Sequence, residues 1–148
     1  MWEIIKGVRT LHAKAIVSRD LADRNIILRK SNGKPVLIDF GAGLCIKMNF
    51  KSGSKITAVG DIAHLVSFPP ELQLIESHKF EYTQDNIAAY DIWKLGILFY
   101  KLAVFQIEDY KISKGDFSSL GGFSGPLRNL IQDMLNQNPE KRISIHDI

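Results

Sequence analysis

The sequence predicts a mainly α-helical domain that carries one small β-hairpin. Three observations carry that expectation. Apolar residues recur at helical spacing from Trp2 to Ala13, and a segment from Asn86 to Phe105 is apolar on nearly every face. Between them, two β-prone triplets, Ile26-Ile27-Leu28 and Val36-Leu37-Ile38, are split by the turn-forming run Ser31-Asn32-Gly33-Lys34-Pro35.

Taken in order, Trp2 to Ala13 reads as a helix with Ile5, Val8 and Leu11 on one face, joined by Trp2 and His12. Ile16-Val17 is a short apolar pair, followed by the polar stretch Ser18 to Asn25 and then the hairpin. Gly41 to Pro70 has four glycines and no clear period, so it reads as a long irregular segment, which in a compact domain points to function or motion. Within Asn86 to Phe105, Ile92, Leu95, Phe99 and Leu102 share a face while Trp93, Ile97, Tyr100 and Val104 are apolar elsewhere, as in a centrally buried helix. Gln106 to Gly125 reads as loop with short helical pieces. Pro126 suits the first turn of a helix through Leu135, which should stop before Asn138-Pro139, and Ser144 to Asp147 could open another.

With 148 residues, 45% of them apolar and 24% charged, the chain suits one folded domain rather than two or a disordered segment. A formal charge of +3 is scattered, with no like-charge run or basic-aromatic stripe, which argues against a nucleic-acid partner. Cys45 is the only cysteine, which excludes an intrachain disulfide and CxxC zinc sites, and the four histidines lack metal-ligand spacing. The first residues lack a signal-peptide layout, and the apolar stretch from Leu95 to Phe105 is too short to span a bilayer. An intracellular, cytoplasmic protein with no membrane partner is expected.

The chemistry concentrates in Ser18-Arg19-Asp20-Leu21-Ala22-Asp23-Arg24-Asn25 and in Asp39-Phe40-Gly41. The hairpin between them should fold the second carboxylate back beside the first. Phosphoryl transfer needs one carboxylate to orient the attacking hydroxyl, and a further acid and an amide to hold magnesium on the ATP phosphates.

These residues resemble the protein-kinase catalytic loop H-R-D-L-x-x-x-N and the D-F-G triplet. Three more pieces match in order. Pro69-Pro70-Glu71 is similar to the A-P-E closing the activation segment, Asp91 to Gly96 to the D-x-W-x-x-G opening the central helix, and Asn138 to Arg142 to the stretch bearing the arginine that pairs with that glutamate. One triplet is weak; five pieces in order, each on its expected local structure, are strong. The resemblance covers residues 2 to 148 and implies the C-terminal lobe of a eukaryotic-type kinase fold, residues 1–148 forming a partial kinase domain without its N-terminal lobe.

By that resemblance Asp20 is the catalytic base and Arg24 contacts the substrate side. Asn25 and Asp39 hold magnesium, and Ile27 joins them in the ATP site, with Leu98 and Leu102 supporting the adenine stack from below. Arg19 pairs with a phosphorylated activation segment, for which Ser52, Ser54 and Thr57 are candidates. Phe40 and Gly41 complete the triplet, Glu71 and Arg142 form a structural ion pair, and Asp91 ties down the catalytic-loop backbone. The implied cofactors are ATP and Mg2+; the implied partner is a protein substrate or a partner protein, including an N-terminal lobe supplied in trans.

Departures qualify this. Ser18 replaces the family histidine. Ala22 stands where serine/threonine kinases carry lysine, and Ala22 with Arg24 is similar to the tyrosine-kinase loop, yet Ser67-Phe68 lacks the tyrosine-kinase tryptophan, so acceptor choice stays open. No Gly-rich loop or V-A-I-K lysine occurs in these residues, which predicts little activity for the stretch by itself. Taken singly, Asp20 and Asn25 read equally as a capped polar loop, the three hydroxyls as solvated, His12 and His64 as satisfied or exposed, and Cys45 as a small buried hydrophobe. The main competing function is a non-catalytic kinase-like binding module or half of a split kinase. A small-molecule phosphotransferase ranks third, since Pro-Pro-Glu and D-x-W-x-x-G are foreign to it. Apolar residues of the hairpin are expected at the surface.

Overall fold

A computed structural model describes residues 1–46, 69–73, 86–105, 112 and 114–148. Helix α1 spans Trp2–Ala13, and short strands follow at Ile16–Val17 (β1), Ile26–Leu28 (β2), Pro35–Leu37 (β3) and Leu44–Cys45 (β4). Then come a one-turn helix, Pro70–Gln73 (α2), the long helix Ala88–Val104 (α3) and Gly125–Met134 (α4), with 3-10 turns at Asp23–Asn25, Ser118–Leu120 and Pro139–Lys141. The segments holding Ser52, Ser54, Thr57, His64 and Ser67-Phe68 lie outside the described residues.

Helix α3 is the axis of the core. Every residue from Tyr90 to Tyr100 is buried, as a helix apolar on all faces requires. Its left-handed cap, Phe105 at φ 59°, closes the last turn by donating its N–H to Lys101. Helix α4 crosses α3 where Gly96 sits: a Cβ there would lie 2.8 Å from Met134 Cβ and 2.9 Å from Leu135. Glycine is what allows the two backbones to approach this closely. Leu120, Ile131, Met134, Leu135 and Ile145 fill the space beyond.

Helix α1 packs Ile4, Ile5 and Val8 inward. Trp2 belongs to the solvent side instead: it is half-exposed, with Lys6 and Arg9 each 5.6 Å from its ring centroid. Trp2 faces away from the side that carries Ile4, Ile5 and Val8, and its indole covers the helix's own basic side chains. Ser144 to Asp147 folds as a hydrogen-bonded turn, its Ser144 hydroxyl bonded to Asp147. Among the described residues no helix is long and apolar enough to cross a membrane.

The strands form two antiparallel pairs. β2 and β3 make the hairpin, Ile26 opposite Leu37 and Leu28 opposite Pro35, one residue earlier on the second strand than the apolar run predicts. The turn decides this. Gly33, at φ 66°, donates to Arg29, and Arg29 donates to Lys34, which brings Pro35 into the ladder. The other pair joins Ile16–Val17 to Leu44–Cys45, so the start of the segment expected to be irregular is a strand. Two residues per strand are too few for periodicity to reveal.

Gly96→Ala should destabilise the protein by about 1–3 kcal/mol through overpacking against Met134 and Leu135. Urea unfolding should show a lower midpoint with an unchanged slope; an unshifted midpoint would mean that the two helices separate freely.

Candidate active site

The two strand pairs bracket one loop. Residues 18–25 leave β1 and enter β2, while residues 38–43 leave β3 and enter β4. Because β1 pairs with β4 and β2 with β3, both ends of the second segment are pinned to the ends of the first. Ile38 N–H donates to Asn25 C=O at 2.9 Å, extending the hairpin by one bond and putting Asp39 next to the end of the polar loop.

Within that loop, Asn25 is buried and uses its amide nitrogen twice, donating to the Asp20 carbonyl and to Asp20 Oδ2, both at 2.8 Å. Arg24 donates to the other Asp20 oxygen. Both carboxylate oxygens of Asp20 are thus oriented by residues four and five positions along, which the 3-10 turn Asp23–Asn25 makes possible. With its nitrogen committed inward, the amide of Asn25 retains an oxygen for a cation. Asp39 is exposed and left-handed at φ 59°, a conformation aspartate tolerates; its Oδ1 accepts from Gly41 N at 3.1 Å.

The loop is held from below by Asp91, fully buried in the first turn of α3. Its Oδ2 accepts from Ser18 N and its Oδ1 from Arg19 N, each at 2.8 Å. His12 Nε2 lies within hydrogen-bond distance of the same Oδ2, at 3.0 Å. Arg19 sits at φ 63°, a strained backbone that persists because these two amide bonds over-determine it. His12 reads from the sequence as one more position on the α1 face. Its anchoring contact is with Asp91, 79 residues away, and has no local signal.

A second polar brace lies farther along. All five N–H donors of Arg142 are used: two to the Glu71 carboxylate at 2.9 and 3.0 Å, one to Ala89 C=O, and two to Asn136 C=O. The guanidinium also stacks 5.0 Å from the Trp93 ring centroid. Glu71 and Arg142 are both buried, and saturation of every donor is what makes an ion pair tolerable there.

Tyr90 stands between these braces. Burial first, then the Asp91 carboxylate, push its phenol far above the ordinary range; Arg19 pulls the other way, and Asp20 and Glu71 add to the rise. Lys94 is buried one turn further on, and burial lowers its pKa. Around the hairpin, Ile27, Leu28, Ile38 and Phe40 are exposed apolar side chains, while Ile26 and Leu37 pack on the core. Leu98 is buried, but Leu102 is half-exposed at the rim. Ser18, in the position of the family histidine, is buried.

A family model described as the protein kinase domain matches residues 1–148. The chain is 31% identical over 149 residues to serine/threonine-protein kinase pim-2 of Danio rerio, an alignment covering 99% of this chain and 44% of that protein. It is 33% identical over 158 residues to an Aurora kinase of Debaryomyces hansenii, covering 100% of this chain and 35% of that protein. The chain therefore spans less than half the length of these two curated relatives.

Glu71→Ala should cost about 3–5 kcal/mol, since it strands a buried guanidinium; an unchanged urea midpoint would show that the carboxylate carries no stability. Tyr90 gives a pH dependence with a definite sign. Its folded pKa is raised, so its contribution is intact below about pH 10, the unfolded value, and is lost as pH rises further because only the unfolded phenol ionises. Above about pH 10 the wild type should lose stability faster than Tyr90→Phe, by up to about 1.4 kcal/mol per pH unit. Parallel stability curves for the two proteins would show that Tyr90 ionises equally in both states.

Proposed function

The chain belongs to the protein kinase family, and from that premise we propose that loop 18–25 and Asp39 form part of a site for phosphoryl transfer from Mg2+-ATP to a protein hydroxyl. The observation that carries this reading is the double pinning of residues 38–43 against residues 18–25, which returns Asp39 to the loop holding Asp20 and Asn25. The donor set fits magnesium. Asn25 presents an amide oxygen and Asp39 a carboxylate, both hard ligands.

In this reading Asp20 orients the acceptor hydroxyl and takes its proton, with Asn25 and Arg24 holding its carboxylate in place. Asn25 and Asp39 hold the cation, which when bound neutralises charge on the phosphates. Arg24 faces the incoming protein, and Arg19, held by Asp91, offers a guanidinium to the activation segment. Asp91, Glu71 and Arg142 keep these parts in register. Ile27 and its exposed neighbours Leu28 and Ile38 provide apolar contact at the nucleotide end, with Phe40 and Gly41 completing the turn after Asp39. These 148 residues contain no Gly-rich loop, so turnover by this stretch alone should fall several orders of magnitude below the roughly 1–100 s⁻¹ usual for kinases.

The exposed apolar hairpin favours a second reading, a kinase-like module that docks on a partner through that face without transferring phosphate. Labelled-phosphate transfer and a Mg2+-ATP thermal shift on the same protein separate the two. Under the kinase reading, nucleotide raises the Tm by linkage and Asp39→Ala removes that rise. Asp20→Asn should keep the rise but lower transfer by roughly a hundredfold to ten-thousandfold. No stabilisation and no transfer would leave only the docking module.

A further inference from the structure

Asp91, Lys94, Leu98 and Lys101 fall at positions i, i+3, i+7 and i+10 of α3 and so share one face of that helix. Both ends of this face touch loop 18–25. At one end the Asp91 carboxylate accepts from the amides of Ser18 and Arg19, and at the other Lys101 Nζ lies 3.9 Å from Asp23 Oδ2. The loop therefore runs along the face over the roughly 15 Å that ten helical residues span. Leu98 lines a depression together with Asp23, toward the far end. Lys94 stands only about 4.5 Å along the axis from Asp91, which places it beneath the residue that follows Arg19, namely Asp20.

Packing does not explain a lysine here. Lys94 is 9% exposed, in a stretch of α3 that is otherwise apolar from Ile92 to Leu98. A buried ammonium is costly unless a counter-charge stands near it. Burial lowers its pKa; of the charged groups around it the Asp20 carboxylate acts most strongly, to raise it, ahead of Arg24 and Lys101, which lower it, and Asp91, which raises it. Asp20 has no other buried cation to hold it. The Arg24 side chain is 56% exposed, so water screens its charge, and the Asn25 amide is neutral. Ala22 carries nothing that could grip Asp20 from within the loop. Lys94 approaches the carboxylate from the protein side, where the low dielectric makes attraction strongest.

We infer that Lys94 is a positioning residue of this site: its ammonium, rising from α3 beneath the loop, is the buried counter-charge that holds the Asp20 carboxylate in its working orientation. The inference rests on the kinase reading for what Asp20 does, whereas the pairing of Lys94 with Asp20 can be measured without turnover. A positioning ammonium differs from a structural one in what its loss does. Methionine in its place removes a desolvated charge and leaves Asp20 bonded to Arg24 and Asn25. The fold is kept while the carboxylate loosens.

On the 148-residue chain, the NMR resonance of the Lys94 ε-carbon followed through a pH titration reads the pairing directly. Asp20→Asn should lower the Lys94 midpoint by about one pH unit. Asp23→Asn, which removes a carboxylate at the other end of the face, should leave it in place. Labelled-phosphate transfer then reads the consequence. Lys94→Met should lower kcat by about tenfold to a hundredfold with the KM for ATP unchanged, and Lys94→Arg should recover most of the loss. The Tm of Lys94→Met should be no lower than that of the wild type. A Lys94 midpoint indifferent to Asp20→Asn, a Lys94→Met protein that transfers at the wild-type rate, or one whose Tm falls together with its kcat would each overturn the inference. If the wild type transfers no phosphate, the kinase reading falls, and the titration by itself decides whether Lys94 holds Asp20.

Discussion

The polar loop depends on one buried carboxylate. Asp91 has no exposed surface, and a carboxyl group in that position is tolerated because three polar partners converge on it: the amides of Ser18 and Arg19 and the imidazole of His12. Charge-assisted bonds of this kind contribute about 1.5–3 kcal/mol each, enough to offset both the desolvation and the left-handed backbone at Arg19. Three elements therefore meet at a single side chain. Helix α1 brings His12, the loop brings its first two amides, and α3 supplies a rigid base that packing on every side prevents from shifting.

The same end of α3 carries the second brace. Two residues before Asp91, the carbonyl of Ala89 accepts from Arg142, which also grips Glu71 and Asn136. The segment around Pro70 and the residues after α4 are thereby referenced to the same helical turn as the loop. Below that turn the helix is mostly apolar, and Gly96 lets α4 close against it. Apolar burial supplies cohesion, whereas the saturated polar groups set orientation. A site that works by positioning needs the second as much as the first.

Much of this was legible because it is local. Helix α1 has the bounds its periodicity predicts, α3 is buried as its composition demands, and the hairpin forms around Gly33 with a shift of one residue. The motif residues were legible for another reason: their types and order resemble the kinase motifs, whatever the packing. Illegible were the strand Leu44–Cys45, too short to have a period, the exposure of Trp2 and Leu102, which depends on where the core ends, and the anchoring role of His12. Nothing adjacent to His12 marks it, since its partner is 79 residues away.

By itself, then, the amino-acid order determined which segments coil, which turn, and which residues line up with the family's motifs, because those properties come from neighbouring residues and side-chain type. Tertiary structure alone decided what meets across the chain. It set Asp91 under amides 72 and 73 residues away, pinned the far end of residues 38–43 through a strand pair with no sequence signature, and laid Lys101 beside Asp23. Such contacts are chosen by the packing of α3 against everything around it, and a burial pattern summed over the whole core cannot be read from any one stretch of sequence.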